Sequence, residues 1–126
     1  MIILDTCGLL WLAGSPPALS AETLARLDQE PVVAVSAISA LEIFPKWLAR
    51  KLELPIPVRE WWNGVVAHHQ LEVLPVDENA AFRAAELPPI HRDPADRFII
   101  ATAQRYGAFV VTSDVRFCEY GVEILC

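Results

Sequence analysis

Short apolar runs alternate along this chain with longer segments whose apolar residues recur at helical spacing. Buried strands are predicted at residues 1–4, 32–35, 71–74 and 108–111, and residues 122–125 are a candidate for a fifth. Strands that alternate with helices form a mainly parallel sheet, because each helix carries the chain back to the edge where the previous strand began. We therefore expect an α/β fold: a three-layer α/β/α sandwich around a mainly parallel sheet of four or five strands.

The helical segments begin or end at residues that commonly cap or break helices. We predict helices over residues 7–13, 20–30, 57–66, 77–85 and 93–106. A further helix begins at Ser36 or Ser39 and extends to Leu52, and Pro45 is expected to kink it.

Composition narrows the class of protein. A chain of 126 residues with 54% hydrophobic residues is long enough to bury a core as one domain over residues 1–126. No apolar stretch is long enough for a membrane span, and the opening lacks the basic entry of a secretory leader. Cys7, Cys118 and Cys126 form no C-x-x-C pair, so we expect reduced thiols and a cytoplasmic protein.

The net charge limits how the chain can bind an anionic partner. The formal net charge is −6, which has the wrong sign for simple electrostatic capture of nucleic acid. An anionic substrate therefore has to be received through bound cations or a local basic patch.

Four acidic residues interrupt otherwise apolar stretches beside the predicted strands. Asp5 and Asp114 follow the first and fourth strands, Glu42 lies beside the apolar stripe of its helix, and Asp96 is in a first helical turn. The carboxyl ends of parallel strands share one edge, so these groups can converge there. Because four adjacent carboxylates repel one another, the pattern favours a site for Mg²⁺, with Mn²⁺ as a substitute. Metal-assisted hydrolysis of phosphodiesters is the leading chemistry.

Each carboxylate also has a purely structural alternative. Asp5 is well placed to cap the helix that follows it, and Asp114 to be an ordinary turn residue. Asp96 fits the third position of a capping box, and Glu42 is one turn from Lys46, a possible ion-pair partner. None of these alternatives explains why all four acids fall around one predicted edge.

The residues around these acids resemble a known family. The segments IILDTCGLLWL, SAISALEI, HRDPADRFIIATA and VVTSD resemble, in order and spacing, the four acidic blocks of PIN-domain ribonucleases of the VapC toxin type. The resemblance spans nearly the entire chain and implies a single PIN domain over residues 1–126. It also implies that Asp5, Glu42, Asp96 and Asp114 are the catalytic, metal-coordinating residues of a Mg²⁺-dependent endoribonuclease. Asp93 is in the same HRDPADR block, but its position before Pro94 favours capping of the following helix over metal ligation.

The family resemblance carries expectations about partners as well. It implies an RNA substrate, a homodimer and a cognate VapB-type antitoxin that silences the toxin. Trp47, Trp61 and Trp62 exceed what a small core needs, so they are candidates for a subunit or partner interface. His91 has no nearby nucleophile in the sequence, and a histidine-based mechanism is not expected.

Several polar residues are candidates for supporting roles. Thr6, Thr112 and Ser113 are placed to orient the carboxylates, although such residues near strand ends are often plain turn residues. Arg92 and Arg97 flank the third acidic block and are candidates for contacts with RNA phosphates, with a surface ion pair as the alternative.

Two other functions remain open from the sequence. A phosphatase using Asp5 as a covalent nucleophile normally has a second acid two positions later, where this chain has Cys7. A catalytically idle PIN-fold interaction module, whose acids only cap helices and whose tryptophans bind a protein, is the alternative from outside the enzymes.

Overall fold

A computed structural model describes all residues from Met1 to Cys126. In chain order the elements are β1 (Ile2–Leu4), α1 (Thr6–Leu12), α2 (Ala21–Gln29), β2 (Val33–Ser36), α3 (Ile38–Leu48), α4 (Val58–His68), β3 (Glu72–Leu74), α5 (Glu78–Glu86), α6 (Pro94–Tyr106), β4 (Phe109–Val111), a 3₁₀ helix (Val115–Tyr120) and β5 (Ile124–Leu125).

The five strands form one parallel sheet in the order β3-β2-β1-β4-β5. β1 is central, and Leu4 at its carboxyl end pairs with Val35 of β2 and Val111 of β4. Residues that follow β1, β2 and β4 therefore lie at the same edge of the sheet. The α/β class and the parallel sheet predicted from the sequence are confirmed.

The central strand is apolar at every position because helices cover both of its faces. Ile2 and Leu4 pack on one side with residues of α1 to α4, and Ile3 packs on the other side with α6 and the 3₁₀ helix. All three side chains are fully buried. Alternate residues of one short strand thus belong to two separate cores, which gives the predicted three layers.

Helix ends follow local capping chemistry. Ser20, Asp77 and Asp93 cap α2, α5 and α6 through side-chain oxygens that accept backbone N–H hydrogen bonds. Gly107 ends α6 in the left-handed conformation, with φ +60°, where a side chain is unfavourable. The capping role predicted for Asp93 is confirmed.

One sequence prediction about helices is wrong, and one helix was missed. α3 ends at Leu48 and not at Leu52, because the backbone turns into the left-handed region at Arg50, with φ 59°. Pro45 lies inside α3 and contributes no N–H to its last turn. The 3₁₀ helix after β4 was not predicted, because its six residues carry too little periodic signal.

One of the three tryptophans is placed differently from the prediction. Trp61 is only 6% exposed and belongs to the core, so it is not part of an exposed interface. Trp47 and Trp62 are partly buried and pack against the same core. The three cysteines are free, and no helix combines the length and apolar character needed to cross a bilayer.

Candidate metal centre

The four predicted carboxylates come from four different elements and act on one another. The negative charges of Glu42 and Asp114 raise the pKa of Asp5, and those of Glu42 and Asp5 raise the pKa of Asp96. Residues 5, 42, 96 and 114 are therefore electrostatically coupled, as expected if they share one edge of the sheet. We call this group the acidic cluster.

Asp5 is the most buried member of the acidic cluster, with 6% exposure. It caps α1, since its Oδ1 accepts a hydrogen bond of 2.7 Å from the N–H of Gly8. Burial is the largest cause of its raised pKa, and a side-chain hydrogen bond from Thr112 and the bond from Gly8 partly oppose it. Asp5 thus has both the structural role and the clustered position that the sequence left open.

Gly8 lets the start of α1 lie directly against β4. A Cβ atom at this position would be 2.7 Å from the carbonyl oxygen of Val111, which is closer than such contacts allow. Because Gly8 has no side chain, its N–H can reach Asp5 while α1 stays in contact with the end of β4. Asp114 follows that strand.

Glu42 is held by the Thr6 hydroxyl and not by the lysine one turn away. The Thr6 hydroxyl donates a hydrogen bond to the Glu42 carboxylate, and Thr6 and Ser39 share a second hydroxyl bond of 2.9 Å. Ser39 is fully buried. Glu42 forms no ion pair with Lys46, so that structural alternative is not observed.

Asp96 and Asp114 meet at a histidine that sequence reasoning set aside. His91 Nε2 is 3.1 Å from Asp96 Oδ2 and 2.9 Å from Asp114 Oδ2. One possible ligand atom from each of these three residues lies within 4.8 Å of the others. The only sequence signal for His91 was its place at the start of the HRDPADR segment.

The two carboxylates in contact with His91 have opposite pKa shifts. Burial and, after it, the charge of Asp93 raise the pKa of Asp96 to about 6, although His91 opposes the shift. The Arg116 guanidinium holds the pKa of Asp114 well below its usual range. Arg116 Nε donates to Asp114 Oδ1 at 2.9 Å and Nη2 to Oδ2 at 2.7 Å. Asp114 therefore already has a cation beside it, whereas Asp96 has none.

Two of the three predicted supporting hydroxyls lie on the acidic cluster. Thr112 is fully buried, and its Oγ1 accepts a 3.0 Å hydrogen bond from the N–H of Asp114 while its side chain bonds Asp5. Thr6 contacts Glu42. Ser113 is exposed and has no side-chain hydrogen bond to a carboxylate, so the structure gives it no orienting role.

Arg97 has a different role from the phosphate contact predicted for it. Its Nη1 donates to the carbonyls of Pro88 and His91 at 3.0 Å each, and its Nη2 donates to those of Ala84 and Leu87 at 2.9 and 2.7 Å. With both terminal nitrogens bonded to backbone, Arg97 fixes the segment between α5 and α6. Arg92 is exposed without a hydrogen bond or ion pair, and its phosphate contact stays a prediction.

The donor set fits a hard divalent cation. Ligand oxygens of Asp96 and Asp114 lie within 4.8 Å of each other, and the charges of Asp5 and Glu42 act on Asp96. Mg²⁺ and Mn²⁺ prefer such oxygen ligands. Burial and mutual repulsion raise the pKa of Asp5 and of Asp96, so the protein alone does not balance these charges. A bound cation would supply that balance.

Comparisons with known proteins identify the family and the fold. The family model described as PIN domain matches residues 2–123. The chain is 33% identical over 118 residues to Ribonuclease VapC22 of Mycobacterium tuberculosis, a match that covers 91% of this chain and 88% of that protein. The structure of VapBC2 from Rickettsia felis, bound to a promoter DNA fragment, has a TM-score of 0.72 and 18% identity, covering 99% of this chain and 98% of the other. FitAcB from Neisseria gonorrhoeae has a TM-score of 0.68 and 24% identity, covering 100% and 97%. This chain therefore belongs to the PIN-domain family.

Proposed function

We infer that the protein is a VapC-type ribonuclease, the toxin of a toxin–antitoxin pair, which hydrolyses RNA phosphodiester bonds and is inhibited by a VapB-type antitoxin. The relative that is 33% identical over most of both chains is a ribonuclease of this type. The observation that carries the proposal is the placement of three acids at one sheet edge: Asp5 and Asp114 follow the adjacent parallel strands β1 and β4, and Asp96 meets Asp114 at His91 Nε2.

We propose that Asp5, Glu42, Asp96 and Asp114 hold Mg²⁺, or Mn²⁺ in its place, and that they are the catalytic residues. A bound divalent ion would neutralise charge on the phosphodiester and polarise the attacking water. The chain's own contribution is to fix the ligands: Gly8 orients Asp5 through its N–H. The Thr6 hydroxyl holds Glu42, and the Thr112 side chain holds Asp5.

Bound divalent ions would also explain how a chain with a negative net charge can bind RNA. The chain carries −6, and two divalent ions would reduce this formal charge to −2. The edge that repels RNA without metal would then become its binding site. We therefore expect RNA binding to require the divalent ion, in addition to the cleavage step.

The test is RNA cleavage by Asp5→Asn and Asp96→Asn variants in Mg²⁺, with circular dichroism to confirm folding. Each substitution keeps the side-chain shape and removes a negative ligand, so we expect a loss of at least about 100-fold, the equivalent of about 3 kcal/mol of transition-state stabilisation. Asp28→Asn, at an exposed position of α2, is the control and should cleave at the wild-type rate. Unchanged cleavage by both cluster variants, or full activity in EDTA, would overturn the proposal.

We further propose that the protein forms a homodimer. Large apolar side chains remain exposed on α3, where Leu41 and Leu48 are each 68% exposed and Phe44 is 45% exposed. Apolar side chains grouped in this way are typical of a surface that another protein covers. Light scattering after gel filtration should give twice the 14.0 kDa chain mass, and a monomer at micromolar concentration would contradict the proposal.

The antitoxin is tested separately. Co-expression of a VapB-type antitoxin should relieve the growth inhibition that the toxin causes when it is expressed alone.

A further inference from the structure

His91 is buried beside the acidic cluster and is fixed from several directions. It is 2% exposed, and its ring lies edge-on to Phe117, with centroids 6.1 Å apart and planes at 84°. Its backbone N–H donates to the Tyr120 hydroxyl at 2.8 Å, and its carbonyl accepts from Arg97. Neither the ring nor its backbone is free to move without breaking these contacts.

The Tyr120 hydroxyl connects His91 to the element that carries Asp114. It accepts from the N–H groups of Ile90 and His91 and donates to the carbonyl of Pro88 at 2.6 Å. Tyr120 is the last residue of the 3₁₀ helix that Asp114 caps. The position of His91 relative to Asp114 is therefore set by a short, fully hydrogen-bonded connection.

Hydrogen bonding assigns the tautomer of the neutral ring. The backbone N–H of Asp93 is 3.1 Å from His91 Nδ1, and an N–H can only donate. Nδ1 is therefore an unprotonated acceptor, and the ring proton is on Nε2. That single N–H group lies 2.9 Å from an oxygen of Asp114 and 3.1 Å from an oxygen of Asp96. It is a donor shared between two carboxylates from different elements.

We propose that His91 is a positioning residue: its Nε2–H holds the Asp96 and Asp114 carboxylates in place for the divalent ion, and His91 is not itself a ligand. The inference rests on the proposed metal-dependent function. In the Nε2–H tautomer the nitrogen that faces the acidic cluster has no free lone pair to offer a cation. His91 therefore lies beside two proposed ligands because it donates a hydrogen bond to them, and not because it coordinates the ion.

The first experiment measures the tautomer directly and needs no metal. ¹⁵N NMR of the histidine-labelled, metal-free protein, recorded at a pH where the ring is neutral, should show His91 protonated at Nε2 and bare at Nδ1. The opposite tautomer, with Nε2 bare, would overturn the inference because it would leave Nε2 available as a ligand.

The second experiment follows Mn²⁺ binding by electron paramagnetic resonance, without RNA. His91→Leu removes the donor, and we expect Mn²⁺ affinity to fall about 10- to 100-fold, as for other groups that orient metal ligands. The amide of Gln can place an N–H near the position of Nε2, so His91→Gln should stay within about threefold of wild type. His68→Gln, at the exposed end of α4, is the control and should bind as wild type.

The outcomes separate this inference from the proposed function. Wild-type affinity in His91→Leu, equally weak binding by the Gln and Leu variants, or a histidine ¹⁴N coupling to Mn²⁺ in the wild type would each overturn the positioning role alone. If the wild-type protein neither binds Mn²⁺ nor cleaves RNA, the proposed function fails, and the positioning role fails with it. Thermal unfolding of each variant shows whether a loss of binding is simply a loss of folding.

Discussion

Asp96→Asn should make the metal-free protein more stable at neutral pH although it removes a proposed ligand. The pKa of Asp96 is raised from 3.8 to about 6, mainly by burial and by the charge of Asp93. A charged Asp96 is therefore unfavourable in the folded protein relative to the unfolded chain. The Asn side chain keeps an oxygen that can accept from His91, and it carries no charge at any pH.

The size of the effect follows from the pKa shift. A rise of about two pKa units corresponds to about 3 kcal/mol of folding free energy at full strength. The Asp96 side chain is 21% exposed, so solvent screens part of this cost. We expect Asp96→Asn to increase the free energy of unfolding by about 1–2 kcal/mol at pH 7.

The pH dependence has a definite sign. Well below pH 3.8 Asp96 is protonated in both the folded and the unfolded chain, so its charge costs nothing there. As pH rises from 3.8 to about 6, the unfolded chain releases the proton first, and the folded wild-type protein loses stability relative to the variant. Above pH 6 the difference is constant.

Urea unfolding in EDTA, repeated between pH 4 and pH 7.5, measures this difference. The exposed Asp28→Asn variant on α2 controls for the loss of one carboxylate from the chain. A gain of the same size at pH 4 and pH 7.5 would show that packing and not charge is responsible. A variant less stable than wild type at pH 7.5 would refute the electrostatic reasoning. Added Mn²⁺ should reverse the order, because it stabilises only the protein that binds it.

Three further substitutions test contacts around the acidic cluster. Arg97→Met should lower the free energy of unfolding by about 2–4 kcal/mol, because several charged hydrogen bonds to backbone carbonyls are lost. Its control, the exposed Arg92→Met, should change the free energy of unfolding by less than about 0.5 kcal/mol. Gly8→Ala should lower the free energy of unfolding by about 1–2 kcal/mol, because the added Cβ meets a backbone carbonyl of β4. Its control, Gly64→Ala on α4, has open space around the added Cβ and should raise the free energy of unfolding by about 0.5–1 kcal/mol. Arg116→Gln should tighten Mn²⁺ binding about two- to fivefold, because the guanidinium no longer competes for Asp114.

Each of these predictions has a result that contradicts it. Equal unfolding free energies for the Arg97 and Arg92 variants would show that the backbone contacts of Arg97 contribute little. A Gly8→Ala protein as stable as wild type would mean that α1 can move away from β4 at no cost. Weaker Mn²⁺ binding after Arg116→Gln, measured by isothermal titration calorimetry, would mean that Arg116 supports Asp114 as a ligand and does not compete for it.

The layout of the sheet could be predicted because its signal is local. The run at residues 2–4 is apolar at every position, which is typical of a strand covered on both faces. Caps such as Asp77 and Asp93 marked helix starts, since a short acidic side chain satisfies free backbone N–H groups. The end of α3 could not be predicted, because the apolar spacing continues to Leu52 although the backbone turns at Arg50. Leu52 still packs on the core, but from a loop.

The four acids could be singled out because a lone charge in an apolar stretch needs a partner. His91 gave no such signal, since one histidine before a helix is unremarkable in sequence. Its importance depends on Tyr120, which is distant in the chain, and on an N–H two residues away that fixes its tautomer. Arg97 gave a sequence signal that was misleading, since a basic residue beside an acidic block suggested a phosphate contact. The backbone carbonyls that it binds carry no residue-specific signal in the sequence.

The structural and the functional interpretations of these acids turn out to be compatible. Asp5 and Asp114 both cap helices and both belong to the acidic cluster, so their carboxylates accept backbone N–H bonds in addition to facing other acids. Each bond from a backbone N–H favours the charged carboxylate and offsets part of the repulsion that assembling four acids creates. Asp96 lacks such a bond, and its pKa is the one raised to about 6. Capping bonds thus help this fold to hold several carboxylates close together in the absence of a cation. A capping role for an acid at the end of a parallel strand is therefore compatible with a catalytic role.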